Sequence, residues 1–478
     1  MKAEKQQRQE EIQLSLFETA DYLRPYVSGR SGTEAGASEE RQAFTAWTEM
    51  RALTVNLMVK VCERHNLNLA YKRVKANKGS PGIDGMSVSE LREWLKTHGS
   101  QLMDSLGDGS YLPEPVRGVE IPKPGGGKRQ LGIPTARDRL VQQAILQVLE
   151  PILDPTFSSS SYGFRPKRGA HDALRQASRY VAEGRTVVVD CDLEKFFDKV
   201  NHDILMARLA RHIGDKRLLR IIRRFLEAGM MQHGVVMERY QGTPQGGPLS
   251  PLLANLLLDD LDKELERRGH RFCRYADDCN IYVESERAGL RVMASVTKFL
   301  EGKLKLKVNK EKSAVAPVWE RKFLGYRLLK DGTLTIAPKS LEKAKERIRE
   351  ITRRNRSEPF TRRIEKLNAF LTGWVTYFCL AKGRSRLEEL DQWIRRKLRC
   401  IRLKQCKRVK TIATFITKLG VVENQAWRLA LSGKGWWRLS NTPQANIAMS
   451  LEWFQAQGLH ELTKRYDSLR FKGNRLGT

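Results

Sequence analysis

Asp277 and Asp278 are the residues of this chain best suited to chemistry. They stand side by side in the stretch Arg271-Phe-Cys-Arg-Tyr-Ala-Asp-Asp-Cys-Asn-Ile-Tyr-Val283. The runs on either side are rich in aromatic and β-branched residues, which predicts a β-hairpin with the pair at or beside its turn. Adjacent like charges in such a setting are costly unless something positive compensates them. A divalent cation would do so, and carboxylate oxygens suit Mg²⁺. A second acidic stretch, Thr186-Val-Val-Val-Asp-Cys-Asp-Leu-Glu-Lys-Phe-Phe-Asp198, ends a β-branched run in Asp190 and Asp192. Strand alternation places these two on one face, and the aromatic pair Phe196 and Phe197 follows.

Carboxylates on neighbouring strands are what two-metal phosphoryl transfer requires, with the ions roughly 3.5–4 Å apart. The other parts of such a site have candidates too. Lys123 and Arg129 flank the turn Pro124-Gly-Gly-Gly127 of a basic hairpin spanning Val116 to Pro134. Facing a cleft, they would clamp a triphosphate, with Arg129 offering a bidentate fork. In Gln241-Gly-Thr-Pro-Gln-Gly-Gly-Pro-Leu-Ser-Pro-Leu-Leu-Ala-Asn255, Gly246 and Gly247 let the backbone pass close to a flat group. Ser250 is expected to cap the helix that follows, with Pro251 in its first position. An aromatic beside the first Asp would sit against a sugar. The set describes the palm of a template-directed nucleotidyltransferase.

The elements that position these residues follow from periodicity. Apolar spacing predicts a helix from Thr45 to about Val74 and a glycine-rich loop at Asn77–Gly85. A helix is expected from Arg137 to Leu149, ended by Pro151, and another from Ala170 to Val181. Between them lies Ser158-Ser-Ser-Ser-Tyr-Gly-Phe-Arg-Pro-Lys-Arg168, basic with interleaved aromatics. That composition suits nucleic acid and makes Arg165, Lys167 and Arg168 candidates for its contact. After the Asp pair come a helix from Arg287 to Leu304, a strand and turn at Leu306–Ser313 and a strand at Phe323–Leu329. From Ala337 to Arg408 the chain holds 22 Lys/Arg against 8 Asp/Glu, a net of +14. Three amphipathic helices are expected there, with a basic face for backbone phosphates. Arg353, Arg354, Lys382, Arg395 and Arg396 are its candidate contacts.

Composition agrees. The 478 residues carry 86 Lys+Arg against 55 Asp+Glu, a formal charge of +31. Such an excess calls for a polyanion, most simply nucleic acid. No apolar run is long enough for a membrane span, and the polar N-terminus does not resemble a signal peptide. The seven cysteines form no Cys-x-x-Cys pair, which argues against zinc ribbons and disulfide frameworks. A cytoplasmic protein with reduced thiols is expected.

The order of these blocks resembles the seven-block series of reverse transcriptases. More narrowly, it is similar to bacterial group II intron-encoded reverse transcriptase/maturases, from about Lys72 to Arg408. The resemblance implies an α+β right-hand polymerase. Its fingers and palm (antiparallel sheet plus helices) would span 46–330, its helical thumb or maturase domain 331–410 and a short helical DNA-binding region 411–478. Residues 1–45 would be a flexible extension. Asp192, Asp277 and Asp278 match the catalytic, metal-binding triad for two Mg²⁺ ions, with Mn²⁺ as a substitute. Phe197 matches the sugar gate; Phe196 and Asp190 remain competitors for the roles given to Phe197 and Asp192. Lys123 and Arg129 match residues over the triphosphate, Gln245 and Gly246 the loop under the nascent base pair, and Lys312 the lysine after the Asp pair.

The implied function is RNA-directed DNA polymerisation, with maturase action on group II intron RNA and intron mobility by target-primed reverse transcription. The implied partners are intron RNA, an RNA template with a DNA primer, dNTPs and target DNA. A homodimer is compatible with the kinship. No His-Asn-His zinc domain is seen, so the resemblance is to members without an endonuclease, which would use a primer made elsewhere. The alternatives are a retron- or defence-type reverse transcriptase, or a splicing factor without a polymerase role.

Overall fold

The computed structural model describes residues 54–122, 126–232, 235–244, 246–355 and 357–475, with side chains placed up to residue 471. The expected extension at 1–45 lies outside these residues, as do Lys123 and Gln245. Two compact units result. One comprises the described residues up to Gln176 with Val187–Ala316, the other Ala177–Thr186 with the chain from Pro317 onward. The division at Ala316 falls before the expected boundary at 330.

The first unit holds two four-stranded sheets. In one, β1 (Val116–Pro122) and β2 (Lys128–Ile133) form the expected basic hairpin, with Val119 opposite Leu131. In the other, β3 (Val187–Cys191) lies among strands from later in the chain. In the first sheet β4 (Met230–Gln232) runs parallel to β1 and is edged by β5 (Val235–Met237), giving the order β2-β1-β4-β5. The second sheet adds β6 (Arg271–Tyr275), β7 (Asp278–Val283) and β8 (Ala314–Pro317), in the order β6-β7-β3-β8. β-Branched residues on β3 fit the pleated surface, and both β6 and β3 pair antiparallel with β7.

Helices supply most of this unit's core. Ser250–Arg267 is apolar on nearly every side, burying Leu253, Leu257, Leu261 and Leu265 among others. A helix of that composition belongs inside a unit, not on its face. It starts at Ser250 itself, with Leu249 in the capping position. The Ser250 hydroxyl does not cap; it donates to the Pro244 carbonyl at 2.8 Å, fastening the glycine loop to the helix. The helix expected to stop at Pro151 continues to Leu153, because Leu149 and Leu153 are fully buried and hold the last turn.

In the second unit, β9 (Tyr326–Leu328) and β10 (Leu334–Ile336) form a hairpin ahead of the helices Pro338–Ile351, Phe360–Tyr377 and Arg384–Cys406. Their buried stripes run through Ala344, Ile348 and Ile351, then Ile364, Leu367 and Leu371, then Leu387, Leu390, Ile394 and Leu398. Shorter helices follow. Asp391, buried on the third long helix, accepts hydrogen bonds from Leu462 N and Thr463 N, both at 3.1 Å, so the helix Leu462–Arg475 is anchored at its start.

Asp215 does comparable work in the first unit. Buried to 1 %, it caps the helix Lys216–Glu227 by accepting from Arg217 N and Leu218 N. Its second oxygen accepts from Met58 N at 2.8 Å, on the first described helix. Asp215→Ala removes a cap and leaves a buried amide unpaired, so about 2–4 kcal/mol of stability should be lost; the shift in a denaturant midpoint measures it.

Candidate active site

The turn between β6 and β7 has two residues, Ala276 and Asp277, because Tyr275 pairs with Asp278. Ala276 takes a left-handed conformation with φ of 59°. The register of β3 on β7 places Cys191 opposite Cys279; one step further, Asp192 comes opposite Asp278. The three aspartates thus stand at the same end of the sheet. Asp190 lies opposite Asn280, two residues down the strand on the same side. Burial raises the Cys191 thiol to about 12, and the charges of Asp190, Asp192 and Asp278 add to that effect.

Asp192 is braced from behind. Its amide donates to Ser313 Oγ at 3.0 Å, and its carbonyl accepts from Asn309 N at 2.9 Å. The same turn brings Lys312 Nζ to 3.8 Å from Asp192 Oδ1, with both side chains substantially exposed, at 65 % and 41 %. Among the described residues no three His, Cys, Asp or Glu side chains are grouped closely enough to hold a metal ion as they stand. The donor set itself suits a hard divalent ion: carboxylate oxygens on adjoining strand ends, in a field negative enough to act on Cys191.

The glycine loop is bolted to the segment after Asp192. Thr243 N donates to Phe197 O and Gly242 N to Val200 O, both at 2.7 Å. Gly246 has φ of 137°, and a Cβ there would lie 2.7 Å from Gly132 O on β2, so the loop lies against the basic hairpin. Arg129 is exposed on β2, opposite Ile121. Phe197 is half-buried beside this loop. Phe196 is not available to a nucleotide: it is 2 % exposed and packs in the hydrophobic core, 5.1 Å from the Phe197 ring. The short helix Phe196–Lys199 turns successive side chains to different sides, so only one of the two can face out.

Arg165 requires a similar correction. It was expected to contact nucleic acid, but it is 8 % exposed and its donors are spent inside the fold. Nε donates to Asp154 Oδ1 at 2.7 Å, Nη1 to Ser158 O at 2.5 Å and Nη2 to Asp154 O at 2.7 Å. Arg168 is half-buried and donates to Ser159 O at 2.6 Å, while Lys167 is exposed. In the helical unit Arg353, Arg354 and Lys382 are exposed, and Arg395 and Arg396 are half-buried.

The residue that sequence reasoning passed over is Arg274. Its guanidinium is fully buried. Nε and Nη2 grip Asp262 at 2.8 and 2.6 Å, Nη2 also donates to Ser161 Oγ at 2.8 Å, and Nη1 donates to Asn255 Oδ1 and to Ala276 O, both at 2.9 Å. The last bond holds the carbonyl immediately before Asp277. Burial raises the Asp262 carboxyl to about 6, while Arg274 draws it down. Asn255 completes the frame by donating to Gly163 O at 2.8 Å. A Cβ on Gly163 would lie 2.3 Å from Ala276 N, so only glycine fits against this turn. Phe164 follows, 55 % exposed, with its ring 6.4 Å from Tyr275. The available signal was a charge between Cys273 and Tyr275 in the interior of a strand, with Asn255 and Asp262 seven residues apart on one helix face.

Arg274→Met should leave Asp262 buried and uncompensated and cost about 3–5 kcal/mol, read as a fall in the unfolding midpoint. Pairing it with Asp262→Leu should recover a large part of that loss, whereas additive losses would show that the two side chains are not coupled.

Comparisons with known proteins identify the family. The profile of the family "Reverse transcriptase (RNA-dependent DNA polymerase)" matches residues 121–328. That of the "Group II intron, maturase-specific domain" matches residues 341–419. Protein YkfC of Escherichia coli (strain K12) is 32 % identical over 336 residues, which cover 61 % of this chain and 88 % of that protein. The group II intron-encoded protein LtrA of Lactococcus lactis subsp. cremoris is 30 % identical over 341 residues, 56 % of this chain and 55 % of LtrA. The chain thus spans about half of LtrA's length. A partial Cas6-RT-Cas1–Cas2 complex is similar over 52 % of this chain and 43 % of the solved one, at 26 % identity and a TM-score of 0.34. No described helix is long and apolar enough to cross a membrane. With both profiles matched in order and nearly nine-tenths of YkfC covered, the chain belongs to the reverse transcriptases that carry a group II intron maturase-specific domain.

Proposed function

We propose that Asp192, Asp277 and Asp278 carry out the family's RNA-directed DNA polymerisation, with the units divided as fingers and palm, thumb and DNA-binding region. The observation that carries this reading is the strand register, which pairs Cys191 with Cys279 and Tyr275 with Asp278 and so brings Asp192, Asp277 and Asp278 to one end of the sheet. The three carboxylates would hold two Mg²⁺ ions, for which Mn²⁺ could substitute. When bound, the ions supply charge neutralisation at the attacking 3′-hydroxyl and at the triphosphate.

The remaining roles belong to the protein's own side chains. Arg129, with Lys123, would grip the triphosphate and offset the charge that develops there. Lys312, whose Nζ lies 3.8 Å from Asp192 Oδ1, would engage phosphate. Phe197 would lie against the sugar and leave no room for a 2′-hydroxyl. The 241–247 loop, with Gln245 and Gly246, would support the new base pair. Lys167, Arg168, Arg353, Arg354, Lys382 and Arg395 would meet backbone phosphates, a contact that weakens steeply with salt.

The maturase-specific match favours intron RNA as the bound RNA, over a retron- or defence-type role, and so favours action in splicing and in mobility by target-primed reverse transcription. Target DNA, a DNA primer and dNTPs would be the other partners. A homodimer and residence in the bacterial cytoplasm, on the nucleoid when target DNA is bound, complete the reading.

Asp277→Ala/Asp278→Ala should lower primer extension on an RNA template by about a thousandfold with little change in the thermal midpoint. Retained extension would sink the assignment. Splicing stimulation that survives the double substitution would place RNA binding on the scaffold and not on the carboxylates. Chelation should stop extension, and Mg²⁺ or Mn²⁺ should restore it; activity that persists in excess chelator would exclude two-metal chemistry.

A further inference from the structure

A groove of about 390 Å³ opens in the helical unit, at the end of the helix Pro338–Ile351 and beside the helices Arg384–Cys406 and Trp436–Leu439. Four cations line it, Arg349, Arg353, Arg354 and Lys397, together with the indoles of Trp393 and Trp437. No acidic side chain lines it among the described residues. Among the described residues, Arg349 pairs with the exposed Glu342 outside the groove at 2.7 Å, and no carboxylate pairs with Arg353, Arg354 or Lys397.

The arrangement of charge on ring is specific. Lys397 Nζ lies 4.7 Å from the Trp393 ring centroid and 5.5 Å from that of Trp437. The Arg349 guanidinium lies 5.7 Å from Trp393. Arg396 stacks 4.1 Å from the Trp437 centroid and donates to the Trp437 carbonyl at 3.3 Å, which fixes that residue in place. Trp437 nevertheless keeps 39 % of its surface exposed. Burial holds the Lys397 amine below its ordinary value, and Arg349 and Arg354 add to that. Cations crowded together in this way are relieved by an anion. An anion site walled by flat aromatic surface matches a phosphate with its base attached, and the volume is that of a small-ligand site.

We infer that this groove seats one nucleotide of an RNA chain, with its phosphate among Arg353, Arg354 and Lys397 and its base against the exposed part of Trp437. The inference rests on the RNA-binding reading above and adds a discrete site to what was a diffuse basic surface. An acidic peptide would satisfy the cations and leave the indoles unused.

The test uses the full chain with single-stranded RNA carrying 5-iodouridine, irradiated and mapped by mass spectrometry. Adducts on Trp437 or Trp393 are expected. In parallel, Trp437→Leu should weaken RNA binding about fivefold or more, and Arg354→Gln should lower the salt dependence by about one ion. Competition of the adduct by AMP supports a nucleotide seat. Displacement by hexaglutamate at lower concentration than AMP overturns it in favour of an acidic peptide. RNA that binds but forms adducts only elsewhere overturns the inference alone; a chain without RNA affinity overturns the RNA-binding reading with it. Because the mapping uses the unmodified protein, a misfolded variant cannot decide the outcome.

Discussion

The aspartate site depends on one buried ion pair. Arg274 and Asp262 are both removed from water, a cost of several kcal/mol per ion that is offset only by good geometry and complete hydrogen bonding. The geometry is complete: the guanidinium finds Asp262, Asn255, Ser161 and the Ala276 carbonyl at 2.6–3.0 Å. Those partners come from a helix, a loop and the turn itself. The pair therefore fixes the register of β6 against its neighbours, and a one-residue slip there would reverse which side Asp277 and Asp278 face. Removing either member leaves the other as an uncompensated buried charge.

Around that centre, backbone and side chains are treated differently. The backbone of Asp192 is held by Asn309 and Ser313, and the 241–243 segment by Phe197 and Val200. Gly163 is pressed against the turn. The groups suited to meet a nucleotide stay accessible: Asp192 and Lys312 on one side, Arg129 on the hairpin, Phe197 beside the loop. A rigid frame carrying solvent-facing carboxylates is what a metal-assisted site needs, since the frame sets positions while the charges remain able to accept a cation.

The same contrast sorts the arginines. Arg165, Arg274 and Arg363 are buried and spend their donors on carbonyls and carboxylates of the fold. Arg353 and Arg354 are exposed and lie beside indoles that share a groove with them. A net charge of +31 counts both kinds alike. Only the second kind can take up phosphate, so the total overstates the basic surface and says nothing of where it is concentrated.

The sequence by itself determined the parts governed by neighbours in the chain. A run of β-branched residues made Val187–Cys191 a strand, β-prone runs on either side of Ala276-Asp277 made a hairpin, and apolar residues at helical spacing made the basic segment three amphipathic helices, because those patterns act over a few residues. The order of the blocks identified the family. The tertiary structure decided what depends on distant partners. Phe196 and Phe197 are alike in sequence, and only packing sends one into the core. Arg165 and Lys167 stand in one basic run, yet the carbonyls of Ser158 and Asp154 claim the first alone. Arg274 takes its meaning from Ser161, 113 residues away, and Trp437 from Arg396, 41 residues away. Burial and pairing over such separations are properties of the folded chain, since no local pattern states which donor will find which acceptor.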